Sequence, residues 1–367
     1  MRSVRATFVL FGVFWGTWAV AALDVQHFLG FTDAQLGLLL AATVAGGAGA
    51  NAFGGVFAER HGTRTVLTVA LVSWGTTLGL TASVSAPLVF CALFLATVAT
   101  GGLVDVVMNI AGTAALGSQP KRLLRLNAQY NVGALVGAGV AGVLLTQGLS
   151  FRVVWGGLAV LALVLAAWVW RADLPAAETG EDHSLTAGFR ALTHGGLRPL
   201  AVVFGIGALV EGGIGTWGVL FLRSQLGILV LAGAGAYMVG AALATTARST
   251  LGWTAARFGS RRVAQAGLAI AGVGLLVEAA SSTAIIAALG LALGALGASV
   301  YWPLLLSHAS EGTDRPGLVV GGLSACGYVG FLAGPPVVGW ISQTTDLRWG
   351  VAVLGLAALT GSVIRLS

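Results

Sequence analysis

Charged residues are scarce in this 367-residue chain, at 9% of the sequence against about 25% in soluble domains. Hydrophobic residues make up 57% of the chain, and the mean hydropathy is +0.91. Most of the protein surface therefore cannot face water. This composition excludes an ordinary soluble domain and indicates a chain that crosses a membrane many times.

Cysteine and the motifs of enzymes are also lacking. Cys91 and Cys326 are the two cysteines, and both fall inside apolar runs, which excludes a disulfide framework. The five histidines are scattered and do not have metal-ligand spacing. The sequence has no HExxH segment, no phosphate-binding glycine loop with a lysine and no nucleophile elbow. We therefore expect no enzymatic activity, no metal and no cofactor.

The net charge of +6 comes from arginines in short loops between apolar runs, so membrane topology explains it better than nucleic-acid binding does. With both termini in the cytoplasm, fifteen basic residues fall on cytoplasmic segments, against Arg152, Arg223 and Arg348 on external ones. This asymmetry predicts an even number of spans in the plasma membrane, which is the inner membrane of a bacterium.

Twelve apolar segments are long enough to span a bilayer, at roughly 20 residues each. They cover residues 6–23, 34–57, 65–84, 87–115, 126–148, 152–170, 199–222, 227–255, 263–281, 284–307, 317–342 and 347–365. The first resembles a signal peptide, but we interpret it as an uncleaved helix because its removal would break the symmetry described below. The one long polar stretch, 171–198, predicts a cytoplasmic linker between six-helix bundles at 1–170 and 199–367.

A pattern of Gly, Arg, Gly and Arg occurs twice, 197 positions apart. The first copy runs from Gly55 to Arg64 and the second from Gly252 to Arg261. The same offset maps the segment after Val132, with its repeated glycines, onto the segment after Val329. A constant long-range offset in an apolar chain is typical of a duplicated transporter.

The two loops resemble the signature of the major facilitator superfamily, Gly-x-x-x-Asp-Arg-x-Gly-Arg-Arg. Four further segments resemble its fucose-permease-like branch of sugar/proton symporters: 101–109 with Asp105 and Asn109, 126–133, 211–217 with Glu211, and 327–336. The resemblance implies an all-α membrane protein of twelve transmembrane helices in two pseudo-symmetric bundles. The second loop departs from the signature, because Ala256 stands where the acid would be.

The resemblance also implies a cytoplasmic gate in these loops. Glu59 could interact with the positive N-terminal end of the eleventh span, although simple anchoring of the loops by arginine would explain the arginines alone. The candidate gating residues are Gly55, Glu59, Arg60, Gly62, Arg64, Arg257, Gly259 and Arg261.

Two carboxyl groups lie near the middle of predicted spans. Glu211 is about twelve residues into the seventh span, or roughly 18 Å along the helix, and Asp105 lies at similar depth in the fourth. Because an ionisable group at this depth is costly, it is expected to face a cavity or a partner. Each is therefore a candidate proton carrier, or alternatively a neutral, hydrogen-bonded group that fixes helix packing.

Arg248 is the one cation that lies well inside a predicted span, away from the ends of the span, and its counterpart in the first half is Asn51. We expect Arg248 to bind an anionic substrate group, to pair with a carboxylate, or to extend toward lipid headgroups. In the first case it would face Gln129 or Asn131, with Asn51 facing Tyr328. Aromatic rings and amides would complete a site for a polar ring, and the candidate substrate-binding residues are Trp15, Trp18, Asn51, Asn109, Asn131, Trp217, Arg248, Tyr301, Trp302 and Tyr328.

The sequence thus predicts a secondary transporter that works by alternating access, coupled to protons through Glu211 or Asp105. Its resemblance to the fucose-permease-like branch implies a small polar solute such as a sugar. Export of amphipathic compounds is the first alternative, and a non-transporting sensor or lipid-handling protein is the second. The expected partners are a small-molecule substrate, protons and membrane lipids. We expect the chain to act as a monomer that binds no nucleic acid.

Overall fold

The computed structural model describes residues 1–116, 120–174, 197–310 and 316–366. Within these ranges the chain forms thirteen α-helices and no β-strand. They are α1 (Arg2–Leu29), α2 (Asp33–His61), α3 (Thr63–Ser83), α4 (Pro87–Leu116), α5 (Pro120–Thr146), α6 (Phe151–Trp170), α7 (Arg198–Gln225), α8 (Val230–Phe258), α9 (Ser260–Ala280), α10 (Ala284–Ala298), α11 (Tyr301–Ser310), α12 (Pro316–Thr344) and α13 (Leu347–Val363).

Ten segments in the described part of the chain are long and apolar enough to cross a membrane. Nine are single helices and the tenth, Ala284–Ala309, comprises α10 and α11 together, whereas α13 is apolar but shorter. Large apolar side chains are exposed along them, for example Leu88, Val164 and Ile285. Such surfaces suit lipid and not water, so the prediction of an all-α multi-pass membrane protein is confirmed. The predicted span 284–307 is not one helix, however, because it is interrupted between α10 and α11.

The chain divides into two compact units. The first comprises Met1–Gly30 and Ala42–Gly180, and the second comprises Phe31–Ala41 and Glu181–Ser367. Most of the predicted linker, 175–196, lies outside the described residues.

In the first unit, α1 and α5 pack backbone against backbone. A Cβ atom at Gly133 or Gly137 would collide with the carbonyl oxygen of Val9 or Val13, respectively. The absence of side chains at these glycines lets the two helices approach closely, as small residues do in membrane helix pairs.

The second unit repeats this arrangement between α7 and α12. A Cβ atom at Gly330 would collide with the carbonyl oxygen of Gly205, and one at Gly334 would lie 2.8 Å from that of Leu209. Gly330 and Gly334 are the counterparts of Gly133 and Gly137 at the 197-residue offset. The duplicated glycines therefore serve close helix packing in both units.

The first turns of α2 belong to the second unit, where they pack on α12. A Cβ atom at Gly37 would lie 2.6 Å from the carbonyl oxygen of Pro335. A Cβ atom at Gly339 would collide with the carbonyl oxygen of Asp33. The start of α2 and the middle of α12 therefore touch through their backbones.

Candidate functional site

Glu211 of α7 and Arg248 of α8 form an ion pair. The Nη2 atom of Arg248 lies 3.2 Å from Oε1 of Glu211, and the two side chains keep 39% and 31% of their surface exposed, respectively. A predicted proton-coupling residue and a predicted substrate-binding residue thus meet. Pairing with a carboxylate was one of the three alternatives that the sequence left open for Arg248.

The interruption between α10 and α11 supplies the second partner of Arg248. In a continuous helix the N–H group of residue 303 would donate to the carbonyl of Ser299, but Pro303 has no N–H group. The Nε atom of Arg248 donates to this carbonyl oxygen instead, at 2.9 Å. One guanidinium group therefore links α7 and α8 to the break, and it replaces the hydrogen bond that proline removes.

The side chain of Ser299 also holds the break. Its Oγ atom lies 2.7 Å from the carbonyl oxygen of Leu296 and 3.4 Å from that of Ala244 in α8. The break is therefore fixed to α8 by both the backbone carbonyl and the hydroxyl of one residue.

Tyr301, the first residue of α11, lies beside the ion pair. Its ring packs flat on α7, where a Cβ atom at Gly207 would lie 2.5 Å from Cδ2 of the tyrosine. The side chain is fully buried, and its hydroxyl lies near enough to Glu211 and Arg248 for both to act on it electrostatically.

An aromatic cluster from α7, α11 and α12 adjoins this site. The ring of Trp302 lies 4.5 Å from that of Phe204 and 6.0 Å from that of Phe331, measured between centroids. Phe331 lies against Gly212, the residue after Glu211. Trp302 and Phe331 are half-buried, so this cluster presents ring surface near the charged pair.

The first unit carries a second polar group on α4. The side-chain amide of Asn109 donates to Oδ1 of Asp105 at 3.2 Å and to the backbone carbonyl of the same residue at 2.9 Å. Both side chains are half-buried. Asp105 is therefore held by a neighbour one turn away, whereas Glu211 is held by a cation from another helix.

The remaining candidate substrate residues differ in exposure. Trp18 and Trp217 are buried, and Trp18 stacks on Phe94 with centroids 5.1 Å apart. Trp15 and Asn131 are half-buried, and Tyr328 is exposed. The side chain of Asn51 lies outside the described residues. Trp18 and Trp217 thus pack inside the protein, and their place at a substrate site stays a prediction.

The duplicated loops have the same backbone conformation. Gly62 has φ 81° and ψ 140° where α3 begins, and Gly259 has φ 86° and ψ 138° where α9 begins. Side chains disfavour this positive φ, which explains why both copies have glycine here.

The predicted gating residues are mostly exposed. Glu59, Arg60, Arg64 and Arg257 are exposed and Arg261 is half-buried, whereas Gly55 lies outside the residues whose burial is described. The guanidinium of Arg64 lies 5.5 Å from the ring centroid of Trp170. That of Arg257 lies 5.6 Å from the ring of Trp253. Arginine on aromatic rings at a helix end is an arrangement suited to a membrane interface.

Sequence reasoning missed the carbonyl of Ser299 as a ligand of Arg248, because a backbone group has no signature. Pro303 was the available signal, since it leaves the carbonyl four residues earlier without a donor. Glu278 of α9 was missed as well. It is fully buried, and neither carboxyl oxygen has a hydrogen-bond partner within the described ranges.

The fold and these polar groups define a multi-pass membrane protein whose spans carry a charged site. The family model of the Major Facilitator Superfamily matches residues 6–255. The chain therefore belongs to the Major Facilitator Superfamily. Its homologues are transporters, and the protein is not an enzyme.

Relatives agree with this assignment. An uncharacterised MFS-type transporter of Yersinia pestis is 26% identical over 360 residues, which cover 98% of this chain and 93% of the relative. Membrane protein MosC of Rhizobium meliloti is 26% identical over 367 residues, with 98% and 87% coverage. A crystal structure of a mutant of the nucleoside transporter NupG superposes with a TM-score of 0.84 at 15% identity, covering 98% of this chain and 97% of that one. At this identity, the last similarity describes the fold alone.

Proposed function

We propose that the protein is a proton-coupled secondary transporter that takes up a small polar solute, such as a sugar, by alternating access. The observation that carries this proposal is the ion pair between Glu211 and Arg248. The likeness of several segments to the fucose-permease-like branch supports the choice of uptake and of a sugar-like solute. Both termini would lie in the cytoplasm of a bacterial cell, and the chain would act as a monomer.

The ion pair suits proton coupling because a proton changes it directly. Protonation of Glu211 removes one of two opposite charges, and loss of one partner from a fully buried pair costs about 3–5 kcal/mol. The cost here is smaller, since the two side chains are 39% and 31% exposed. That exposure also gives protons and solute a route to the pair.

Asp105 is the second candidate proton carrier. Its side chain accepts a hydrogen bond from the amide of Asn109, and a proton on the carboxyl group would alter this contact. The loops with Glu59, Arg60 and Arg64, and with Arg257 and Arg261, would gate the cytoplasmic side.

Transport by reconstituted full-length protein tests this function. Proteoliposomes would be screened with neutral sugars, sugar acids, nucleosides and amphipathic dyes, with and without an acidic exterior. We expect accumulation of a polar solute only with the pH gradient. Accumulation that ignores the gradient would remove proton coupling, and movement of amphipathic compounds alone would indicate export.

Variants distinguish the two carriers. We expect Glu211→Gln to abolish gradient-driven accumulation while solute exchange without a gradient continues. Asp105→Asn is expected to retain accumulation. If Asp105→Asn abolished accumulation and Glu211→Gln retained it, Asp105 would be the proton carrier. Asp173→Asn is the matched control, because it removes an exposed carboxyl group outside the helices.

A further inference from the structure

We infer that the solute carries a carboxylate on a small polar ring, as sugar acids do, and that this carboxylate binds Arg248 in place of Glu211. The inference rests on the proposed function, since it names the substrate class of the same site. It follows from the geometry of one guanidinium group.

Arg248 is only partly engaged by its protein partners. A guanidinium has five N–H donors, and the described residues take up the one on Nε and one on Nη2. The contact from Nη2 to Glu211 is single and 3.2 Å long, whereas charge-assisted hydrogen bonds of this type are about 2.7–2.9 Å and often bidentate. Glu211 therefore acts as a loosely held ligand that another carboxylate can replace.

The position of Ser299 decides which edge of the guanidinium is available. Its carbonyl oxygen accepts the hydrogen bond of Nε of Arg248 at 2.9 Å. This oxygen has no donor within the helix because Pro303 lacks an N–H group. The edge formed by Nη1 and Nη2 remains once Glu211 leaves. Two parallel N–H groups on one edge match the two oxygens of a carboxylate.

Charge balance then favours an anion over a neutral solute. Arginine stays charged under all physiological conditions, so protonation of Glu211 removes the counter-ion that the described residues give this cation within a membrane span. A neutral sugar leaves this imbalance in place, whereas a monoanion removes it. Proton binding to Glu211 and anion binding to Arg248 therefore strengthen each other reciprocally.

The surroundings favour a ring. Trp302 and Phe331 present half-buried aromatic surface, and Phe331 touches the helix at Gly212, beside Glu211. Aromatic faces pack against the C–H faces of a sugar ring. A carboxylate on such a ring could contact Arg248 while its ring lies near the aromatic cluster.

Binding of D-glucuronate and D-glucose to the purified full-length protein tests this inference. The two probes differ in that a carboxylate replaces a hydroxymethyl group. D-galacturonate extends the panel as a second sugar acid with a ring. Ligand-dependent shifts of the thermal unfolding midpoint would give apparent dissociation constants at pH 5.5 and 8.0. We expect at least one of the sugar acids to bind at millimolar concentration or better, more tightly at the lower pH, and glucose to bind at least tenfold more weakly.

Three variants of the site and one control complete the test. Arg248→Gln is expected to weaken sugar-acid binding at least tenfold, and Arg248→Lys to weaken it less, because lysine keeps the charge without the two-pronged edge. Glu211→Gln is expected to tighten binding at pH 8.0 about tenfold and to remove its pH dependence. Misfolding cannot imitate this gain. Arg365→Gln, which removes an exposed arginine outside the site, is expected to change nothing.

The inference is overturned if none of the sugar acids binds, if glucose binds equally well, or if Arg248→Gln retains full affinity. Gradient-driven accumulation of a neutral sugar, unaffected by sugar acids, would overturn the inference and leave the proposed function intact. Arg248-dependent binding of a sugar acid that is never transported would do the reverse.

Discussion

Arg152 and Arg348, 196 positions apart in sequence, make equivalent contacts in the two units. Arg152 donates from Nη2 to the carbonyl oxygen of Val84 after α3, at 2.6 Å. Arg348 donates from Nη1 to the carbonyl oxygen of Ser281 after α9, also at 2.6 Å. Each arginine thus ties the end of one helix to the start of another, and each lies over a phenylalanine ring, that of Phe28 or Phe221.

These contacts explain two arginines that depart from the predicted charge asymmetry. Arg152 and Arg348 fall on the external side of the predicted topology, yet their guanidinium groups satisfy backbone carbonyls that helix ends leave without partners. Each arginine therefore stabilises the packing of helix ends. The carbonyl groups at the helix end determine its position, and the positive-inside rule does not.

Loss of either arginine should weaken the protein without altering its site. We expect Arg152→Gln and Arg348→Gln each to lower stability by about 1–3 kcal/mol, because carbonyls lose a charged donor. The measurement is the thermal unfolding midpoint in detergent, with Arg365→Gln as control. Unchanged midpoints in both variants would show that the contacts contribute nothing.

Glu278 should lower the stability of the second unit. Its carboxyl oxygens have no partner in the described part of the chain, whereas its counterpart Thr81 lies 3.1 Å from Thr97, between hydroxyl oxygens. The counterpart of Thr97 is Gly294, which has no side chain to offer. We expect Glu278→Leu to raise stability by about 1–3 kcal/mol, since it removes an unsatisfied buried polar group.

Thr81→Val supplies the comparison in the first unit. It removes a satisfied hydrogen bond, so we expect a loss of about 1 kcal/mol. We therefore expect the thermal unfolding midpoint to rise in Glu278→Leu and to fall in Thr81→Val. Destabilisation by Glu278→Leu would mean that this carboxyl group has a partner or a role.

A methyl group at Gly207 should disturb the site without changing its charge. It would meet the ring of Tyr301 at 2.5 Å, and Phe204 packs against that ring with centroids 5.7 Å apart. We therefore expect Gly207→Ala to reduce transport at least tenfold with little loss of expression. Gly215→Ala on the same helix is the matched control, because a Cβ atom there meets no atom within 4 Å. Equal activity of the two variants would contradict this prediction.

Pro303→Ala should free Arg248 from the break. Alanine restores an N–H group that can donate to the carbonyl of Ser299, so α10 and α11 can join into one helix. We expect a higher unfolding midpoint and slower transport, because the guanidinium loses its fixed position. A variant that is unchanged in both measurements would show that Arg248 holds its place without the break.

Apolar runs were sufficient to locate the helices, because a membrane-spanning helix needs a long apolar stretch whatever its neighbours are. They could not tell which face of a helix meets protein. Lipid tails are as apolar as a protein core, so Trp217, fully buried, and Trp340, 67% exposed, look alike in sequence. For this reason Trp18 and Trp217 were expected at the substrate site although their rings are in the core.

Depth along a helix was easier to predict than partnership across helices. Counting residues could place Glu211 near the middle of its span and Arg248 inside its span. Their contact could not be predicted in this way, because it depends on how α7 and α8 rotate about their axes. The break at Ser299 was hidden for a different reason, since the segment around it is predominantly apolar and Pro303 is the residue that marks it.

The close backbone contacts of α5 with α1, and of α12 with α7, limit how the two units can diverge. Gly133 and Gly330 tolerate no added atom, whereas their neighbours Val132 and Val329 are exposed and accept any apolar side chain. A map of tolerated substitutions along α5 should therefore show a four-residue rhythm, strict where Gly133 and Gly137 touch α1 and permissive between them. These two narrow strips should therefore preserve the similarity of the two halves even where other positions diverge.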